Sequence, residues 1–432
     1  MARIFILVLI MLIACKDPER LADPADYHVY LHKKFVATKE HAIRKEIGFW
    51  SKRLEKDTGN YLDQHRLGLS YLELFRLKGN TMHLTTGDSL LRSSAAKLDF
   101  KNPELLFSLS QASIARHEFR RAHSDIELAE KAGADPYTLS LLKFDAAMEL
   151  GLYREARRLL TAVKNETDFN YLVRKSKWED HLGRSDQAIT CMEQATNVMR
   201  ERDLNLYCWA LSNLADMYGH AGRIEEAYKT YLLVLKMDPA NLHCLKGIAW
   251  ITWSNDGDPG SARSIIDFIL SQKNDPELYL MLSDIAESKK DPAQKAKWLN
   301  AFLEKAEAPG TGRMYNKYLV QVHAGELNQA GKALDLAREE LKNRLTPETY
   351  DGLSWALYKN GQYEQAYQVT KGSVYKYTFE PDALFHSALI FSAVGETEKA
   401  KNLLNACLES SFELGPLTTN QIREKLKELE GQ

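Results

Sequence analysis

The amino-acid sequence predicts an all-α fold, an α-α superhelix of roughly ten helical hairpins with a capping helix at each end. Three observations carry that prediction. A small residue recurs at a near-constant interval along most of the chain, a glycine precedes it at a fixed distance, and strand-like alternation is hard to find outside an apolar leader. The clearest unit spans residues 208–241, CWALSNLADMYGHAGRIEEAYKTYLLVLKMDPAN. In it Leu211, Leu214, Ala215 and Tyr218 fall at helical spacing and Gly222 breaks the helix. Ala227, Tyr231 and Val234 then form a second apolar stripe, closed by Pro239. One such hairpin cannot bury its own apolar face, so it requires neighbours of the same kind.

The interval can be counted. Ala122, Ala156, Ala188, Ala227, Ala262, Ala296, Ala330, Ala366 and Ala400 are separated by 34, 32, 39, 35, 34, 34, 36 and 34 residues. Five residues before seven of these nine stand Gly151, Gly183, Gly222, Gly257, Gly325, Gly361 and Gly395, with His117 and Asp291 in the other two places. Glycine there ends a first helix in the left-handed conformation, and alanine lets the two helices of a hairpin approach closely.

Composition bounds the function classes. With 57 basic and 59 acidic side chains in 432 residues, the chain has no basic excess, which argues against a nucleic-acid partner. Hydrophobic content of 44% and charged content of 27% are those of a folded soluble chain, long enough for two or three domains or one solenoid.

In chain order, residues 1–14 carry Arg3 and then an unbroken apolar run from Ile4 to Ile13, a secretory signal too short to span a bilayer, which needs roughly 20 residues. Residues 15–26, with Pro18 and Pro24, read as an extended tether. Residues 27–60 read as an N-terminal helical cap with Ile43, Ile47, Trp50 and Leu54 as its buried stripe. Residues 61–414 form the repeat array, whose first member carries a polar insertion over 78–87, and residues 415–432 form the C-terminal capping helix.

Two resemblances follow from these residues. The period near 34 and the glycine and alanine marks make 61–414 resemble a tetratricopeptide repeat array. The run around Leu353-Ser354-Trp355-Ala356-Leu357-Tyr358 looks like a signature near the C-terminus of a group of bacterial proteins of that kind. Leu12-Ile13-Ala14-Cys15 resembles the bacterial lipobox, which implies lipidation at Cys15. Lys16 after it implies an outer-membrane destination, and Cys15-Lys16-Asp17-Pro18-Glu19 looks somewhat like the surface-export tag of Bacteroidetes lipoproteins.

The repeat resemblance places first helices on a concave groove. It implies a partner-binding surface of Trp209, Asp216, His220, Trp250, Trp253, Tyr315, Trp355, Tyr358 and Phe385, with Asp145, Glu149, Asp180 and Asp216 making the earlier groove acidic. No nucleophile elbow, HExxH, phosphate loop or CxxC is present, so no catalytic residues, metal or cofactor are expected. Cys208 and Cys244 sit at similar heights on adjacent first helices, close enough in pattern to raise the question of a disulfide. The sequence therefore leads to an expectation of a membrane-anchored envelope scaffold that is not an enzyme and holds a protein or peptide. A carbohydrate- or peptidoglycan-binding or -processing lipoprotein is the alternative.

Overall fold

The structure, a computed structural model, describes residues 20–431. The leader, Cys15 and the first residues of the expected tether lie outside the described residues. Ten hairpins follow one another. The first four are Tyr61–Lys78 with Thr81–Ala96, Pro103–Ala115 with Phe119–Lys131, Pro136–Leu150 with Tyr153–Ala162, and Phe169–His181 with Ser185–Met199. The fifth and sixth are Leu204–His220 with Ile224–Met237, and Leu242–Trp250, prolonged by a π-helical turn Ile251–Asn255, with Pro259–Gln272. The seventh and eighth are Glu277–Ser288 with Pro292–Ala306, and Asn316–Gln321, prolonged by the π-helical turn Val322–Glu326, with Ala330–Asn343. Pro347–Lys359 with Tyr363–Ser373 and Pro381–Ala393 with Thr397–Glu409 complete the array.

Local chemistry explains where the helices begin and end. First helices start behind short polar side chains that accept from backbone N–H groups three residues on: Asn60, Asn102, Asp135, Asp168, Asp203, Asn241 and Thr346. Each such cap contributes about 1 kcal/mol. Every hairpin turn contains a residue with positive φ: Gly79, His117, Gly151, Gly183, Gly222, Gly257, Lys290, Asn328, Gly361 and Gly395. The rule read from glycine is thus a rule about backbone conformation. His117, Lys290 and Asn328 obey it with a side chain in place.

The alanine register needs two corrections. In most hairpins the buried alanine is the fourth residue of the second helix, as at Ala122, Ala156, Ala188, Ala227, Ala262, Ala366 and Ala400. In the seventh hairpin that place belongs to Lys295, and Ala296 is exposed. In the eighth it belongs to Ala333, fully buried, because the turn residue with positive φ is Asn328, five places before it, and not Gly325. The polar insertion expected over 78–87 does not exist. Its residues begin the helix Thr81–Ala96, and Gly87 crosses Gly68 so closely that a Cβ on Gly87 would lie 3.0 Å from the Gly68 carbonyl.

The array does not remain an open spiral. Each of the first four hairpin turns meets backbone or side chains of the hairpin, or of the loop after it, about five places further on. Asn274 N–H donates to the Lys78 carbonyl at 2.9 Å, and a Cβ on Gly79 would overlap the Asn274 carbonyl. Gly312 packs near the Arg116 carbonyl, and Asn343 Nδ2 donates to the His117 carbonyl at 2.8 Å. A Cβ on Gly151 would overlap the Leu345 carbonyl, and one on Gly183 would lie 2.7 Å from the Phe379 ring. Gly219, just before the fifth turn, faces Phe412. The result is a superhelix zipped along a seam, with a lumen inside.

Both ends reinforce the closure. The expected tether is corrected over residues 20–26, which dock on the sixth hairpin. Arg20 pairs with Asp258 at 2.8 Å, the Leu21 and Ala22 amides donate to Asp256, and Tyr27 is completely buried. The helix Lys33–Lys56 covers the first hairpin and reaches the fifth through Lys39–Asp238. At the other end, Ser411–Glu430 kinks at Gly415-Pro416. Before the kink the Phe412 carbonyl accepts from Trp250 Nε1 at 2.9 Å and from Ser254 Oγ at 2.7 Å.

Seam and turn effects are separable by substitution. Gly222→Ala imposes only the left-handed strain of about 1–2 kcal/mol, since nothing lies within 4 Å of the new Cβ. Gly151→Ala adds the clash with Leu345, so it should lower the denaturation midpoint clearly more than Gly222→Ala in chemical unfolding. Equal losses would contradict the seam.

Candidate functional site

Closing the superhelix turns the expected groove into a lumen. It contains three adjoining cavities of about 560, 390 and 230 Å³. The largest is bounded by the turns of hairpins one and two on one side and by the first helices of hairpins six to ten on the other. It meets the second cavity at Lys317, Arg344, Glu348 and Glu380, and the third at Gln321, Trp355, Asp382 and His386.

The sequence-predicted residues disperse. Tyr315 and Trp355 line the largest cavity, and His220 lines the second. Trp253 and Phe385 reach the third cavity but are only 4% and 7% exposed, so they are core residues, Trp253 in the register place that buried Tyr218 holds in the fifth hairpin. Trp250 also borders the third cavity, where the C-terminal segment covers it. Asp216 is consumed internally, accepting from Tyr231 at 2.5 Å and pairing with His243 at 2.8 Å. Trp209 and Tyr358 border none of the three cavities. Trp209 is 44% exposed beside Phe169, and Tyr358 stacks on Trp355.

Two further expectations change. The acidic early groove is largely neutralised, since Asp145 is held by Arg174 at 2.6 Å and Glu149 by Lys177 and Arg344 at 2.8 and 3.0 Å. Only Asp180 of that set remains without an ion pair. Cys208 and Cys244 are separate buried thiols, both pushed up by desolvation.

At the centre of the wall, Trp355 stacks on His386 with ring centroids 4.1 Å apart, and His386 Nδ1 donates to Asp351 Oδ2 at 2.9 Å. Burial pushes the His386 imidazolium down, but the Asp351 charge and hydrogen bond outweigh it and raise the pKa. The other Asp351 oxygen is buried and has no hydrogen-bond partner. Among the described residues no hydroxyl or thiol bonds His386, so the pair lacks a nucleophile to activate. No set of His, Cys, Asp and Glu among the described residues is arranged to hold a metal ion.

Sequence reading missed most of the charged lining. Glu277, Glu348 and Asp382 each follow a proline at the start of a first helix, where an acid is ordinarily read as helix-dipole stabilisation. Their recurrence in hairpins seven, nine and ten was the available signal.

Comparison with known proteins supports the repeat type. The tetratricopeptide repeat family model matches residues 210–241. No curated protein matches the chain in sequence. Among solved structures the chain is similar to the human IFIT1 dimer with m7Gppp-AAAA, at 12% identity and a TM-score of 0.47 over 72% of this chain and 70% of that one. Yeast Tom70 is 12% identical, with a TM-score of 0.34 over 95% of this chain and 97% of that one. A tetratricopeptide repeat protein from Parabacteroides merdae is 16% identical, with a TM-score of 0.34 over 62% of this chain and all of that one. Likenesses this distant say nothing about ligands.

The lumen also predicts a titration. Burial lowers the His220 pKa, but its hydrogen bond to Glu413, 3.2 Å away, and the charges of Glu413, Asp216 and Glu380 outweigh burial and raise it to about 9. A folded value above the ordinary 6.5 means that this contact stabilises fully below about pH 6.5 and is lost as pH rises through 9. NMR titration should give a His220 value near 9 that falls toward 6.5 in Glu413→Gln. An unchanged value in that variant would contradict the His220–Glu413 pairing. The chain thus contains a tetratricopeptide repeat in its fifth hairpin, with nine further hairpins built to the same plan.

Proposed function

We propose that the protein is a non-enzymatic binding scaffold that holds an extended segment of a protein or peptide in its lumen. The observation that carries this reading is the set of three adjoining cavities, two of them lined by the Trp355–His386 stack, enclosed by a seam that bars a folded domain from the interior. An elongated chain fits such a set, and aromatic and charged side chains held by rigid first helices bind at low entropic cost. Glycan binding has less support, because the Trp355 ring is already stacked on both His386 and Tyr358.

We further propose that Cys15 is lipidated and anchors the scaffold at the bacterial outer membrane, with an envelope protein or peptide as its partner. Support comes from the Leu12-Ile13-Ala14-Cys15 run directly behind an apolar leader. None of the helices among the described residues is long and apolar enough to cross a bilayer.

One experiment tests both parts. A photo-crosslinking residue replaces Lys317 in the lumen or Trp209 away from it, in native cells, and crosslinked products are fractionated. The Lys317 position should give discrete products in the membrane fraction, the Trp209 position should not, and Cys15→Ser should move the Lys317 products to the soluble fraction. Equal products from both positions would overturn the lumen reading, and wild-type products already in the soluble fraction would overturn the anchor.

A further inference from the structure

The lumen is not evenly charged. Counting ion pairs within 4 Å among the described residues, most cations on its walls are engaged. Arg344 is held by Glu149 and Glu340, Lys246 by Glu277, Lys177 by Glu149, His220 by Glu413 and His386 by Asp351. Among the lysines and arginines of these walls, Lys317 on the first helix of the eighth hairpin, Arg76 and Arg313 are without such a partner. Five carboxylates facing the same continuous space have none either: Asp180, Asp284, Glu348, Glu380 and Asp382.

The imbalance registers in the carboxyl groups themselves. Desolvation raises the Glu380 pKa, and repulsion from Glu413, Glu348 and Asp180 adds to it against the pull of Lys317. Desolvation with the charges of Glu326 and Glu287 pushes Asp284 up to about 7. A second observation is independent of this excess. Asp351 is 7% exposed, lines the largest cavity, and keeps one carboxylate oxygen without any hydrogen-bond donor. A buried, unmet acceptor costs about 1–3 kcal/mol, more when charged, unless a donor arrives from outside. Beside it, Trp355, its ring already stacked on His386 and Tyr358, lines the same space as an apolar wall.

We infer that this end of the lumen is a site for organic cations, and specifically for the lysine ammonium and arginine guanidinium groups of an extended basic peptide, with Glu348, Asp351, Glu380 and Asp382 as the receiving carboxylates and Trp355 as the apolar wall. The inference rests on the lumen being the binding site and adds the charge class of the segment it holds. The peptide source follows from shape. Three adjoining cavities give an elongated chain more places to lodge than a single compact ion needs. Arg76 and Arg313, near the turns of the first two hairpins, stand at the opposite side of the largest cavity and give such a chain a direction.

The test uses the described protein with three labelled probes in fluorescence anisotropy: an alternating Lys-Ala decapeptide, an alternating Glu-Ala decapeptide, and spermine. The Lys-Ala peptide should bind, more weakly at high salt, and the Glu-Ala peptide should not. Glu380→Gln combined with Asp382→Asn should weaken binding at least tenfold, and Lys317→Ala should strengthen it. Both substituted carboxylates face the lumen, and unchanged circular dichroism and unfolding midpoint confirm that the variants fold. Binding of both peptides, lost on Trp355→Ala but indifferent to the carboxylate variants, would overturn the charge class and leave the lumen reading intact. Binding of spermine without the Lys-Ala peptide would overturn the peptide source. If no probe binds and the Lys317 crosslinker captures nothing, the lumen reading itself fails.

Discussion

The structure depends on the contact between each early hairpin turn and the chain about five hairpins further on. In an open solenoid a repeat touches only its neighbours, and stability is close to a sum of local terms. Here the carbonyls of Asn274 and Leu345 reach backbone that would be blocked by a single Cβ on Gly79 or Gly151. Those glycines serve two geometric needs at once. They take the left-handed conformation that reverses the chain, and they leave room for a distant strand of backbone to pass. Where only the first need applies, as at Gly222, Gly361 and Gly395, nothing lies within 4 Å of the missing Cβ.

Closure changes what the inner surface is for. A groove would present aromatic side chains to a folded partner as hot spots. The lumen instead assigns Trp250 and Phe385 to the packing that shuts it, and leaves charged residues at the starts of the later first helices as its working surface. Residues 20–26 and 411–415 then act as latches on the same middle hairpins, so the two ends of the chain secure one another through the sixth hairpin.

Much of the architecture was legible because it is local. Turn conformation, caps and the small residue at the helix crossing are dictated within a few positions, and Gly151, Gly183 and Ala227 show them directly. The register failed at Ala296 and Ala330 because the left-handed turn residues there are Lys290 and Asn328, which a search for glycine passes over. The fourth position of the second helix therefore falls on Lys295 and Ala333 instead. The seam was invisible for a different reason. It arises from the sum of small rotations between successive hairpins, and no single repeat encodes it. Site prediction inherited that gap. Trp355 and Tyr315 were placed on the binding surface, while Asp216 was spent on Tyr231 and His243, and Trp209 faces away from the cavities.

The central claim is that the superhelix is closed in solution. Electron–electron resonance between spin labels at Leu152 and Leu345, both exposed and on opposite sides of the seam, reads that closure directly. A single short, narrow distance distribution is the predicted result. A long or broad distribution, as an open spiral gives, would contradict the account.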